Sequence, residues 1–248
     1  WRAQSRHLLA ARSHVEPLRE CSLLRQLRRW TRSLCGRRVK AHHYASWKAQ
    51  ELPLRQGLVR KGFSVTQQKI APVVLLAYHR PELTAEVFAT IRKAQPRQLF
   101  LVMDGPNPAV LGDAALVSRT RAVVELVDWK CDVRKIYAPQ NLGLKKRVYS
   151  GLNQVFAEVD YAIVLEDDCL PSDDFFQYCS ELLALYDSDE KVGIVSGASR
   201  FRGRQVTNYS YDFSEDVRIW GWATWKRTWQ LVDNNMVVYK ALGNTEWL

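Results

Sequence analysis

The sequence has no apolar run long enough to cross a membrane: its longest uncharged apolar stretches, such as residues 70–78, are strand-sized. It has no internal repeat and no low-complexity tract, and 47% hydrophobic against 25% charged residues is ordinary globular composition, which excludes a fibrous or wholly disordered chain. The five cysteines, Cys21, Cys35, Cys131, Cys169 and Cys179, form no Cys-x-x-Cys pair, and their odd number fits neither a zinc framework nor a disulfide ladder. Reduced thiols in a cytoplasmic protein are the simplest expectation. There is no G-x-G-x-x-G, no Walker A loop and no G-x-S-x-G. None of the histidines His7, His14, His42, His43 and His79 falls in an HExxH or a Cys/His cluster. The chain opens on Trp1 with no secretory apolar segment and stops soon after a helical pattern, so a fragment truncated at one or both ends is expected.

Acidic residues are scarce in one region only. Residues 1–62 hold 15 Lys and Arg against three Asp and Glu, whereas residues 63–248 hold 21 against 23. The net charge of +10 therefore belongs to a basic arm in front of a nearly neutral domain, which argues against a nucleic-acid-binding core. Residues 1–68 are expected to be a basic helical or disordered extension, and residues 69–248 the domain. In the arm, Leu23, Leu27, Trp30 and Leu34 line one helical face with Arg25, Arg28, Arg29 and Arg32 between them. That pattern fits peripheral contact with an anionic membrane surface, a transit peptide, or a solvated extension.

From Lys69 onward, strands and helices alternate. Strands are expected over 70–77, 99–103, 133–137, 161–165 and 192–195. Helices are expected from Pro81 (face Leu83, Val87, Phe88, Ile91), over 113–127, over 144–159, and after Ser172 or Asp173 as cap (face Phe175, Cys179, Leu182, Leu183, Tyr186). This βαβα order predicts an α/β fold, a mostly parallel sheet with helices on both faces.

Ligands of such sheets bind outside the carboxyl ends of the strands. Four strand ends carry polar or glycine-bearing loops: Tyr78-His79-Arg80-Pro81, Asp104-Gly105-Pro106, Asn141-Leu142-Gly143 and Glu166-Asp167-Asp168. Three adjacent carboxylates repel one another unless solvated or paired with a cation, and a hard divalent ion with a diphosphate fits them. An acidic turn capping the next helix is the plainer alternative. Asp104 could accept from a base or ribose, or belong to an ordinary Asp-Gly-Pro turn. Lys145, Lys146 and Arg147 open a helix, where cations oppose the dipole. An anion such as a diphosphate would account for them, as would a solvated face.

Taken together, a strand ending Ala-Tyr-His-Arg-Pro, one ending Met-Asp-Gly, an Asn-Leu-Gly-Leu loop and Val-Leu-Glu-Asp-Asp-Cys resemble GT-A fold nucleotide-sugar glycosyltransferases. The resemblance is to bacterial enzymes related to the N-acetylglucosaminyltransferase I group, with Glu-Asp-Asp as their DXD motif. Asp173-Asp174-Phe175-Phe176 and Ile219-Trp220-Gly221-Trp222-Ala223-Thr224-Trp225 extend it over residues 69–232.

The resemblance implies a metal-dependent, inverting transfer of a sugar from a nucleoside diphosphate donor, a UDP-sugar, to a hydroxyl of a glycan, lipid-linked or protein acceptor. Asp168 would be the Mn2+ or Mg2+ ligand, with Glu166 and Asp167 in support. Asp104 would bind the base, and Tyr78, Arg80, Asn141, Gly143 and Arg147 would lie along the donor. Trp220 and Trp222 would shape the sugar side or pack in the core. The chain departs from the family at His79, where an Asn or Asp is usual, and in lacking the downstream Trp-Asp motif. The general base is therefore expected beyond Leu248, with Asp216 and Asp233 as weak candidates. Two other readings stand beside this one. A sugar-nucleotide-forming nucleotidyltransferase would show a glycine-rich loop after the first strand, which is absent. A truncated or degenerate non-catalytic module would bind an acidic partner or membrane through the arm.

Overall fold

The computed structural model describes residues 69–198, 211–215, 217–235 and 237. The basic arm and Asp216 lie outside the described residues. Chain order is β1 (Val73–Ala77), α1 (Pro81–Ala94), β2 (Gln98–Met103), α2 (Asp113–Val124), β3 (Asp132–Tyr137), α3 (Leu144–Glu158), β4 (Tyr161–Glu166), α4 (Phe175–Leu185), β5 (Ile194–Ser196), β6 (Trp222–Trp225) and the one-turn α5 (Lys226–Trp229).

The apolar run Val-Val-Leu-Leu-Ala makes β1 a strand buried on both faces. It sits inside a six-stranded sheet of order β3-β2-β1-β4-β6-β5. β1 runs parallel to β2 and β4, and β2 runs parallel to β3. β6 is antiparallel to both β4 and β5. This is the expected α/β class: a mixed, mostly parallel sheet with helices on both faces.

Strand alternation divides the core into two layers. Val73, Leu75 and Ala77 join Val87, Phe88 and Ile91 of α1, Val124 of α2 and Phe176, Cys179 and Leu183 of α4. Val74 and Leu76 point the other way, onto Val148, Leu152, Val155 and Phe156 of α3 and Trp229 of α5. Burying each large aliphatic side chain contributes about 1.5–3 kcal/mol. The sheet centre thus supplies the rigidity that holds the loops at its carboxyl end.

Four local expectations are corrected. Leu83 is exposed, and the buried face of α1 is Pro81, Thr84, Val87, Phe88 and Ile91, with the Thr84 hydroxyl bonded to the Arg80 carbonyl in the inward position of the first turn. α2 stops at Val124, short of residue 127. α4 starts after Asp174, which makes no side-chain cap bond; Asp173 instead pairs with Lys93 of α1. The Trp-Ala-Thr-Trp segment, for which no strand is expected, forms β6 and is buried at all four residues.

Between β5 and β6 the chain leaves and re-enters through a narrow neck. Gly197 donates its N–H to the Gly221 carbonyl at 2.9 Å. Both glycines lie against the Phe175 ring, and a Cβ on Gly197 would come within 2.5 Å of it. Gly221 has φ +69°, a conformation that favours glycine.

Candidate functional site at the carboxyl end of the sheet

The chain winds from β1 through β2 to β3 on one side, then crosses back to β4 on the other side of β1. The crevice at such a reversal is where open parallel sheets place ligands. Three polar links tie the four loops at this end into one continuous rim.

The first link joins β2 to β3. Asp104 is buried, and its Oδ1 accepts the N–H groups of Gly105 (2.9 Å) and Leu142 (2.9 Å) while Oδ2 accepts that of Gly143 (3.1 Å). Asn141 donates its N–H to the Pro106 carbonyl and its Nδ2 to the Gly105 carbonyl. The loops pass so closely that a Cβ on Gly105 would lie 2.5 Å from the Gln140 backbone. Gly143 takes φ +76° as α3 begins. Asp104 therefore braces the loop with both oxygens engaged, and its reach toward a ligand is indirect.

The second link joins β1 to β2. Asp113, the first residue of α2, is fully buried. It accepts the Tyr78 hydroxyl on Oδ2 at 2.5 Å, the Asn107 N–H on the same oxygen at 2.6 Å, and His79 Nδ1 on Oδ1. Burial pushes its pKa up, but these three bonds and the His79 charge outweigh it and hold the carboxyl below its ordinary range. Burial, then the bond to Asp113, raises the Tyr78 hydroxyl to about 12. The Tyr78 and His79 rings stack 4.0 Å apart at 18°. The sequence pattern gives Asp113 only as the start of a helix and His79 as part of the first strand-end loop. The available signal was an acid at a helix N-terminus directly after a polar strand-end loop.

The third link joins β1 to β4. Arg80 donates through Nη1 to Asp168 Oδ2 at 3.0 Å and through Nη2 to Asp167 Oδ1. The Tyr78 N–H also points at Asp167 Oδ2, at 3.4 Å. Asp167 is buried, whereas Asp168 is 45% exposed. Glu166 has its pKa pushed up to about 7, first by burial and then by the charges of Asp168 and Asp167 against the opposing Arg80. Burial likewise raises Asp167, with Arg80 acting against it. Three carboxylates thus face one guanidinium, and the cluster carries surplus negative charge. Among the described residues no three His, Cys, Asp or Glu side chains form a metal cage.

The other expected residues are placed as follows. Arg147 turns into the interface between α3 and the sheet, where its Nε and Nη2 are buried without a partner. Its Nη2 would lie 2.9 Å from a Cβ on Gly151, beside Val102. Burial lowers the Arg147 pKa, against the Asp104 charge. Trp220 is 55% exposed; its neighbour Gly221 has a backbone hydrogen bond with the Cys169 thiol, beside the acidic turn. Trp222 packs in the core with Val164, Ile219 and Phe156, so of the two tryptophans only Trp220 stands at the rim. Asp233 accepts the Asn235 N–H at 3.1 Å in the turn after α5. Among the described residues no helix is long and apolar enough to cross a membrane.

No family model matches the chain, and no curated protein matches it. Among solved structures, the mannosyltransferase PcManGT from Pyrobaculum calidifontis, in complex with GDP-Man and Mn2+, aligns over 71% of this chain and 48% of its own, with 18% identity and a TM-score of 0.37. The 4-diphosphocytidyl-2C-methyl-D-erythritol synthase from Anaerococcus prevotii aligns over 71% and 79%, with 10% identity and a TM-score of 0.37. The chain spans about half the length of that mannosyltransferase.

Proposed function

We propose that residues 69–248 are the donor-binding part of a metal-dependent glycosyltransferase, which moves a sugar from a nucleoside diphosphate, a UDP-sugar, to an acceptor hydroxyl. The observation that carries this reading is the surplus of carboxylates at the end of β4, at the topological reversal of a parallel sheet, beside a single Arg80. The donor set fits a hard cation of the Mn2+ or Mg2+ kind. Such ions take one or two carboxylates from the protein and complete their shell with substrate phosphate and water. Asp168 is the ligand: it is half-exposed, and its Oδ1 accepts from the Cys169 thiol at 3.8 Å while its Oδ2 pairs with Arg80. A divalent ion held there supplies Lewis acidity toward the departing diphosphate.

The protein's own groups do the rest. Arg80 is held between Asp167 and Asp168 with its side chain 43% exposed, in reach of a phosphate. Asp167 anchors Arg80 and the Tyr78 backbone. Asp104 takes up the Leu142 and Gly143 amides at the start of α3 and so holds the β2 and β3 loops in place beside the crevice. Glu166 and the Trp220 ring border the crevice. The acceptor is a glycan, lipid-linked sugar or protein, and the transfer is inverting, with the general base outside the described residues.

A second reading is favoured by the same ion pairs. Arg80 already engages two of the three acids, so the cluster could be a structural network in a non-catalytic module. Calorimetric titration of UDP with and without Mn2+, on wild type and Asp168→Ala, separates them. Mn2+-dependent binding lost in the variant is the expected result; no Mn2+ dependence would leave the structural network as the explanation.

A further inference from the structure

We infer that the crevice end of the sheet docks on a lipid bilayer, its apolar loop tips entering the headgroup layer, and that the acceptor is lipid-linked. The acceptor assignment rests on the glycosyltransferase reading above and deepens it.

A turn between β2 and α2 holds an apolar side chain outward. Asp113 donates its N–H to the Val110 carbonyl at 3.2 Å, and Gly112 between them has φ +81° and ψ −6°. Leu111 has no positive φ, so this is a type II turn with Leu111 at its first corner and the glycine at its second. The turn is tied down from within: Val110 donates to the Asn107 carbonyl, Ala109 to Asn107 Oδ1, and Asn107 to the buried Asp113. Leu111 is fully exposed and Val110 is half-exposed. Two aliphatic side chains thus stand in solvent on a fixed support.

Other tips rise from the same edge. β1, β2 and β3 end in register at Ala77, Met103 and Tyr137, and Leu76 of β1 pairs with Glu166. β6 runs the other way; Trp222 pairs with Val164, which sets Trp220 level with Glu166. At this end Leu144, Leu170 and Trp220 are exposed as well. Four segments therefore present apolar side chains around one polar crevice, more than scattered surface residues would supply. Tryptophan, with an apolar ring and one N–H, suits the boundary between headgroups and hydrocarbon.

The charges fit the same partner. Lys145 and Lys146 directly follow Leu144 and pair with no acid among the described residues. Glu82 and Asp173, also at this end, are already neutralised by Arg119 and Lys93. Two unpaired ammonium groups beside an apolar tip match the phosphates of a headgroup layer. A rigid protein seated across these tips would close the crevice to a donor. A fluid, hydrated headgroup layer leaves it open and brings a lipid-linked hydroxyl to the depth of the acidic turn.

The test sediments the full chain with vesicles of phosphatidylcholine and phosphatidylglycerol, mixed roughly 7:3, in Mg2+. Wild type is compared with the combined Val110→Ser and Leu111→Ser variant, and hydrogen exchange is read by mass spectrometry with and without vesicles. Both residues are exposed and neither belongs to the donor site, so the variant should melt with wild type and keep its Mn2+-dependent UDP binding. Wild type should bind vesicles at least about tenfold more tightly, since two aliphatic side chains no longer leave water in the variant. On wild type, vesicles should slow exchange over residues 107–112 and 168–172 and leave the opposite end, around Leu126 and Leu185, unchanged. Equal binding by the two proteins, no vesicle binding at all, or protection confined to residues 1–62 overturns the inference and leaves the donor site standing. Absence of Mn2+-dependent UDP binding in wild type removes the donor-site reading and the acceptor assignment with it.

Discussion

The two sides of the crevice treat their acids in opposite ways. On the β1–β2–β3 side, Asp104 and Asp113 are buried, and each receives three donors from within the protein. On the β4 side, Glu166, Asp167 and Asp168 share one Arg80. A carboxylate with three donors is a structural brace. Acids that outnumber their donors leave surplus negative charge at the rim. Burial alone does not separate the two, since Asp167 is as hidden as Asp104; the balance of donors to acids does.

The sharpest way to break this contrast is Asp104→Ala. Removing the brace strands three loop amides, at a cost of about 3 kcal/mol, which thermal unfolding should show as a fall of roughly 6–12 °C in Tm. A change within about 1 °C would mean the loop does not depend on Asp104. Gly105→Ala attacks the same junction sterically, since its Cβ would meet the Gln140 backbone. A loss of about 1–3 kcal/mol is expected in urea unfolding.

Asp113→Asn tests the second brace through pH. The folded pKa of Asp113 lies below its unfolded value of about 4. Its contribution is therefore complete above the unfolded value and disappears as pH falls through the folded one. The stability gap between wild type and Asp113→Asn should be about 1–2 kcal/mol at pH 7 and should close on acidification. A gap that is constant with pH would show that the charge of Asp113 is immaterial. The smallest effect belongs to the β4 side. Asp168→Asn should leave stability within about 0.5 kcal/mol, because the residue is half-exposed and its charge adds to a surplus. A loss comparable to that of Asp104→Ala would erase the distinction between brace and site.

The parallel part of the fold was legible because strands buried on both faces announce themselves as short apolar runs, and 73–77, 98–103 and 161–166 are such runs. The strand-end rule then located all four loops. Two things were not legible. β6 carries Trp-Ala-Thr-Trp with every residue buried, so the alternation that marks an antiparallel strand is missing. Its place between β4 and β5 is a long-range pairing that local pattern does not encode. The roles of the acids were equally hidden. Asp104 and Asp168 each follow a hydrophobic strand, and only the tertiary supply of donors makes one a brace and leaves the other open. Asp113, 35 residues from Tyr78, offered no local hint of its partners.

The neck at Gly197 and Gly221 has a consequence for how this protein can diverge. β5 and β6 are held by their own ladder, and the Gly197–Gly221 bond closes the circuit at the crevice end. Whatever lies between the two glycines is anchored at both ends regardless of its length. Divergence there is bounded on the β6 side, where the Tyr211 hydroxyl is bonded to that of Tyr186 and Ile219 is buried in the core.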